Sequence, residues 1–242
     1  MKRALPFVII ALVLGAALSM FLYFQHSTVE TPSGIAVAGI EPGPGEAPGA
    51  SPSRNATNRS ATAEPGAEPP HAQGSPNAPV ALEEFGDFQC PPCGMLHPVL
   101  KNLEAEFGPE KLRIIFREFP LVPAHAHALA AARAAEAAGL QGKFWEMHGM
   151  LYENQRVWHE AFDVRPTFEG YATKIGLDLE QFRRDISGPI VERRIFLDGK
   201  RAHDLGVKGT PTVFLNGREV PFESLAPEKL KALISSELAA RQ

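Results

Sequence analysis

Cys90 and Cys93 are the only thiols in a chain of 242 residues, and Pro91 and Pro92 fill the space between them. A pair this close can form a disulfide and reopen by exchange with another thiol. As a static staple it would achieve little, because so short a loop hardly restrains the unfolded chain. A strand-like stretch, Pro79-Val80-Ala81-Leu82-Glu83-Glu84-Phe85, leads into the pair, and a helical pattern starts at Pro91. That puts Cys90 at the N-cap of a helix, where unpaired N–H groups and the positive dipole end stabilise a thiolate. A lowered thiol pKa gives more thiolate near neutral pH and a better leaving group. Cys90 is therefore expected to be the exposed attacking sulfur, and Cys93, one turn inward, to resolve the mixed disulfide.

The residues between the cysteines tune this chemistry. Prolines are tolerated in the first helical turn, where an N–H would be unpaired anyway. Pro91 and Pro92 also remove two donors that would otherwise point at Cys90, which leaves the amides of Cys93 and Gly94 nearest. With no histidine between the cysteines, only moderate activation of Cys90 is expected. Two other readings of the pair stay open from the residues alone. A zinc site needs four ligands; the chain has no second cysteine pair, and His97 would supply only a third. A disulfide that never turns over is the other. Redox exchange with no metal and no cofactor is the preferred reading.

The pair must be held by elements the rest of the chain builds. Met95, Leu96, Val99, Leu100, Leu103 and Phe107 recur at helical spacing over residues 91–107, with Pro98 predicting a kink. Residues 112–119 read as a second strand. An alanine-dominated helix over 125–138 ends at Gly139, and helices follow at 144–153, 168–175, 179–186 and 190–205. Two short strands, 212–215 and 218–220, flank Asn216-Gly217, the strongest short hairpin signal. A closing helix starts with Pro227 in its first turn. The order is strand, helix, strand, a block of helices, hairpin, helix, which predicts a small mixed α/β sheet with helices on its faces.

The N-terminal third has a different composition. Lys2 and Arg3 precede an uncharged apolar run over residues 4–24, long enough for a membrane-spanning helix. No small-residue cleavage pattern follows Met20-Phe21-Leu22-Tyr23-Phe24, so a retained anchor over 1–26 is preferred to a cleaved signal. The basic N-terminus places that end in the cytoplasm and the remainder outside, where disulfides persist. Residues 27–77, rich in proline, glycine and alanine, carry too few large apolar groups to order themselves and are expected to be a disordered linker. A flexible coil of about 50 residues spans about 40 Å. It shows no heptads, and the protein is expected to be a monomer. A net charge of -4 with scattered Lys and Arg argues against a nucleic-acid surface.

Several segments together resemble the DsbA-type, thioredoxin-like disulfide oxidoreductases, over roughly 78–238. Glu84-Phe85-Gly86-Asp87-Phe88-Gln89-Cys90-Pro91-Pro92-Cys93 is similar to the family's strand-to-active-site segment, and His97-Pro98 to its kinked first helix. Arg117-Glu118-Phe119-Pro120-Leu121, the alanine-rich run from Ala131 and Gly142-Lys143-Phe144-Trp145-Glu146-Met147-His148 resemble the entry to an inserted helical subdomain. Gly206-Val207-Lys208-Gly209-Thr210-Pro211-Thr212 matches the loop that faces the active site. The resemblance implies a thioredoxin-like domain over 78–242 with an all-helical insertion at about 123–205. It implies a redox-active Cys90–Cys93 disulfide, a cis Pro211, and Thr210, Pro91 and Pro92 beside the bound substrate. It also implies a buried acid beneath the site, Glu84, that accepts or relays the Cys93 proton. Glu83 competes for that role, since one register step exchanges faces. His125, His127 and His148 are read as structural or surface residues.

The implied activity is disulfide donation to thiols of exported proteins, with recycling by a membrane redox partner, in a periplasm or cell-surface space. The alternatives are a thiol reductase using the same site, or a redox-inert tethered module that binds peptides. The Pro-Pro dipeptide departs from the Pro-His of the most oxidising members, and nothing resembles the dimerisation module of disulfide isomerases.

Overall fold

The structure, a computed structural model, describes residues 63–241. The expected anchor, and the expected linker as far as residue 62, lie outside the described residues. In chain order the elements are β1 (His71–Gln73), β2 (Val80–Gly86), α1 (Pro91–Phe107), β3 (Leu112–Glu118), α2 (Ala128–Gly139), α3 (Phe144–Glu153) and α4 (Gln155–Trp158). They continue with α5 (Arg165–Lys174), α6 (Leu179–Asp185), α7 (Pro189–Leu205), β4 (Thr212–Leu215), β5 (Arg218–Val220) and α8 (Pro227–Ala239). Among the described residues no helix is long and apolar enough to cross a membrane.

The strands form one mixed sheet in the order β1-β3-β2-β4-β5. β2 and β3 are parallel, joined through α1 as a parallel pair requires, and every other pairing is antiparallel. Asn216 (φ 49°) and Gly217 (φ 78°) both take positive φ, the geometry of the tight hairpin turn between β4 and β5.

Strand alternation divides the core. Val80 and Leu82 of β2 pack with Leu96, Leu100 and Leu103 of α1 and with Leu230 and Ile234 of α8. Phe85, of opposite parity, packs on the other face with Ala202 and Leu205 of α7 and with Phe214. The helices between β3 and β4 have a core of their own around Met147, Leu151, Trp158, Phe168 and Phe182, packed against the alanines of α2. Phe88, Cys90 and Cys93 belong to that same cluster, so the reactive loop is seated where the helical insertion meets the sheet.

The domain begins earlier than the expected boundary at residue 78. Ala67 is fully buried; its N–H donates to Asp198 Oδ1 (2.8 Å), and its carbonyl accepts from Arg117 Nη1 (2.8 Å). Arg201 donates to the Glu64 carbonyl (2.8 Å) and Arg194 to that of Pro69 (3.2 Å). Gly66 has φ +87°, and a Cβ there would meet Arg117 Nη1 at 2.7 Å and Asp198 Oδ1 at 2.8 Å. β1 then pairs with β3. Composition misleads here because the segment is held by charged side chains distant in sequence, not by apolar groups of its own.

Candidate active site

α1 starts at Pro91 with Cys90 as its N-cap in extended geometry (φ -69°, ψ 118°). The Gly94 N–H closes the first turn onto the Cys90 carbonyl (3.1 Å), which leaves the Cys93 amide to serve the Cys90 sulfur. The side chain of Gln155, at the start of α4, donates to the carbonyls of Phe88 (2.7 Å) and Cys90 (2.9 Å) and pins the loop to the insertion. Asp87 braces the loop's other side. Its Oδ1 accepts from the Gln89 N–H (2.7 Å), and its Oδ2 accepts from the Leu121 N–H (2.9 Å) and pairs with His125 Nδ1 (2.7 Å).

The Thr210–Pro211 bond is cis, and the Thr210 carbonyl accepts from the Cys90 thiol at 3.3 Å. The expected loop therefore does face the cysteines. Cys90 is more covered than expected: 4% of its surface is exposed, because Phe88 and the Thr210 loop close over it, while Cys93 is fully buried. Both cysteines are free thiols in this structure, so the implied Cys90–Cys93 disulfide is not formed here.

The two thiols are pushed in opposite directions. The Cys93 side chain, against the opposing cost of burial, lowers the Cys90 pKa to about 6, helped by the Thr210 side chain and the Cys93 amide. Asp87 works against this lowering. A value near 6 is a partial lowering, and its leading cause is the Cys93 side chain rather than the intervening prolines. Burial, and then the neighbouring Cys90 thiol, push Cys93 well above the ordinary thiol value.

Strand parity separates the two candidate acids. Glu84 shares the face of Val80 and Leu82, under α1 and the cysteines. It is 2% exposed, Oε1 has no protein partner, and burial followed by the Cys90 charge raises its pKa to about 8. Glu83 points the other way, onto α7. It pairs with Arg117 (2.7 Å) and Arg201 (2.7 Å), which overcome the cost of burial and hold its pKa below the ordinary value.

Pro91 and Pro92 each wall a cleft beside Cys90. Pro91 lines one with Gly94, Met95, Gln155 and Arg156, while Pro92 lines an apolar one with Met95, Pro211 and Phe222. Among the described residues no cluster of three or more His, Cys, Asp or Glu could hold a metal ion. His97 is instead a partly exposed histidine of α1, lying between rings 5.3 Å from Tyr152 and 5.2 Å from His148. Sequence reasoning missed Asp87, Gln155 and His148 as site residues. His148 had a signal, since it shares the buried helical positions of Phe144, Met147, Leu151 and Tyr152. A lone glutamine opening a four-residue helix had none.

A family model described as Thioredoxin matches residues 67–236. The chain belongs to the thioredoxin family. Within that family its fold is that of the DsbA-type thiol–disulfide oxidoreductases, with the helical insertion between β3 and β4. Oxidised BdbD from Bacillus subtilis superposes with a TM-score of 0.64 at 20% identity, covering 73% of this chain and 97% of that one. A thioredoxin-like oxidoreductase from Silicibacter pomeroyi gives 0.56 at 26% identity, covering 76% and 98%. Among curated proteins, the Na(+)/H(+) antiporter NhaA 1 of Salinispora arenicola is 40% identical over 170 residues, 70% of this chain and 25% of that protein. The chain thus spans about a quarter of the length of that relative, and the match falls on the thioredoxin-like part.

Proposed function

We propose that this thioredoxin-family chain donates the Cys90–Cys93 disulfide to thiols of exported proteins. In this reading it works outside the cytoplasm on an anchor at residues 1–26 and regains its disulfide from a membrane redox partner. A client thiolate attacks Cys90 Sγ, the Cys90–Cys93 bond breaks, and Cys93 leaves with the electron pair. Cys93 is a poor leaving group unless protonated, and Glu84, neutral at pH 7, supplies the proton. A second client thiolate then attacks its partner sulfur, and Cys90 departs as a stable thiolate. Two electrons end on Cys90 and Cys93, and the client holds the new disulfide. Thr210 and Pro211 face the attacked sulfur, and Pro91 and Pro92 wall the approach.

The observation that carries this reading is the opposite displacement of two thiols one helical turn apart, which separates an attacked sulfur from a resolving one. The reductase reading draws on the same number, since a pKa near 6 lies closer to that of a thioredoxin thiol, about 7, than to about 3.5 for the strongest oxidant. Acid-quenching cells and alkylating free thiols reads the resting state of the full chain. A donor is held oxidised at Cys90–Cys93; a chain held reduced would make the reductase reading correct.

A further inference from the structure

Glu84 can move a proton for Cys93 repeatedly only if it exchanges that proton with solvent, and almost none of its surface is exposed. A cavity of about 140 Å³ opens beside it, lined by Glu84, His97, Lys101, Glu104, Trp145 and His148. Three buried polar atoms at its walls have no hydrogen-bond partner in the protein: Glu84 Oε1, His148 Nε2 and His97 Nε2, the last 3.9 Å from Glu153 Oε1. A polar cavity of this size has room for several waters, and unpaired polar atoms are what hold them. Its far side reaches the surface, where the Lys101 side chain is 65% exposed and pairs with Glu153 at 3.0 Å.

We propose that His148, with His97 and the water of this cavity, carries the Glu84 proton between the buried cysteines and the solvent at Lys101 and Glu104. The proposal rests on Glu84 serving Cys93. The His148 ring is caged by Phe116 at 4.7 Å, Trp145 at 4.9 Å, Tyr152 at 4.9 Å and Phe88 at 5.4 Å, with His97 at 5.2 Å. A neutral imidazole offers one N–H and one bare nitrogen, so it can accept a proton on one side and release one on the other. Burial keeps His148 neutral, and burial lowers His97 as well. The ionisable groups around the rings are Glu84 from β2, Lys101 and Glu104 from α1, Tyr152 and Glu153 from α3 and His71 from β1. A histidine that only fills the core would need no cavity and no link to an acid beneath a reacting thiol.

Recycling exposes the path. When oxidised glutathione has formed a mixed disulfide with Cys90, Cys93 must lose its proton and attack the Cys90 sulfur. The Cys90–Cys93 bond forms, the bond to glutathione breaks, and glutathione leaves as a thiolate with the electron pair. Glu84 accepts the Cys93 proton only after its own has left through His148. At saturating oxidised glutathione and pH 7, the plateau rate of closure in the reduced full chain reads this step. His148→Ala is expected to lower the plateau by about 100-fold or more, with the reduction potential unchanged, and added imidazole should restore most of it. His148→Asn fills the site and forms hydrogen bonds but cannot carry a proton, so it should be equally slow even if the alanine variant folds poorly. In a Glu84→Gln background, replacing His148 should add nothing further. A wild-type plateau in His148→Asn, or a slow His148→Ala that imidazole leaves slow, overturns the path. A wild-type plateau in Glu84→Gln overturns the Glu84 reading itself.

Discussion

Replacing Glu84 by Gln should make the protein more stable at neutral pH while slowing its chemistry. The carboxyl ordinarily titrates at 4.5 but at about 8 in the folded chain, with burial the leading cause. A raised folded pKa gives stability that is complete below pH 4.5 and drains away as pH rises toward 8, because the unfolded chain releases a proton that the folded chain retains. The slope is about 1.4 kcal/mol per pH unit, so wild type loses about 3 kcal/mol by pH 7. Gln keeps the shape and polarity of the protonated acid and escapes this loss. For a domain of this size the gain corresponds to roughly 6–12 °C in Tm. The comparison is made by denaturant titration of the oxidised full chain, in which neither thiol titrates, at pH 5 and pH 7. The advantage of Glu84→Gln should be below about 1 kcal/mol at pH 5 and about 3 kcal/mol at pH 7. Equal separation at the two pH values would refute the claim that this carboxyl stays protonated in the fold.

Thiolate absorbance of the reduced chain should titrate with a midpoint near 6, and Cys93→Ala should move it upward by removing the leading cause; a midpoint that does not move refutes that attribution. Glu83→Gln weakens the pairing of Arg117 and Arg201 and should cost about 3–5 kcal/mol by denaturant titration at pH 7. Because the Glu83 pKa is lowered, its charge-dependent contribution is present above pH 4.5 and is lost as pH falls below it, so the gap between variant and wild type should narrow in acid. Its glutathione closure rate should stay at the wild-type value, unlike that of Glu84→Gln. A chain starting at residue 78 loses β1 and the contacts of Ala67 with Asp198 and Arg117, and should be less stable by about 3 kcal/mol or more; equal stability would show that residues 63–77 do not hold the domain together.

The elements that position the cysteines were legible because local signals and global packing agree there. Period-two alternation marked β2, helical spacing marked α1 across Pro98, and Asn216-Gly217 took the positive φ pair its composition demands. β1 was illegible because His-Ala-Gln shows no alternation. It stays at the sheet edge through backbone pairing with β3, through His71 stacked on Phe144 at 3.5 Å, and through His71 bonded to Glu136 at 2.9 Å. The choice between Glu83 and Glu84 was undecidable from adjacent identical residues; the positions of Leu82 and Phe85 in the two cores decide it. The exposure expected for Cys90 failed because a helix N-cap says nothing about what a loop 120 residues away lays over it.

The pKa of Cys90 also bounds the reduction potential. A thiol titrating near 6 is mostly thiolate at pH 7, which stabilises the reduced pair by about 1.4 kcal/mol, or about 30 mV for two electrons. A thioredoxin thiol near pKa 7 gains only about 0.4 kcal/mol by the same reasoning. The difference, about 1 kcal/mol, lifts the expected potential about 20 mV above thioredoxin's, from about -270 to about -250 mV. Such a pair still passes its disulfide downhill to clients whose structural disulfides lie below about -300 mV, so modest acidity is compatible with donation. Under the proposed function, direction would then be set by a membrane redox partner that keeps Cys90–Cys93 oxidised. Equilibrating the full chain with glutathione tests the arithmetic. A value near -120 mV would require about 6 kcal/mol from sources other than Cys90 acidity and would refute the assignment of the potential to this thiolate.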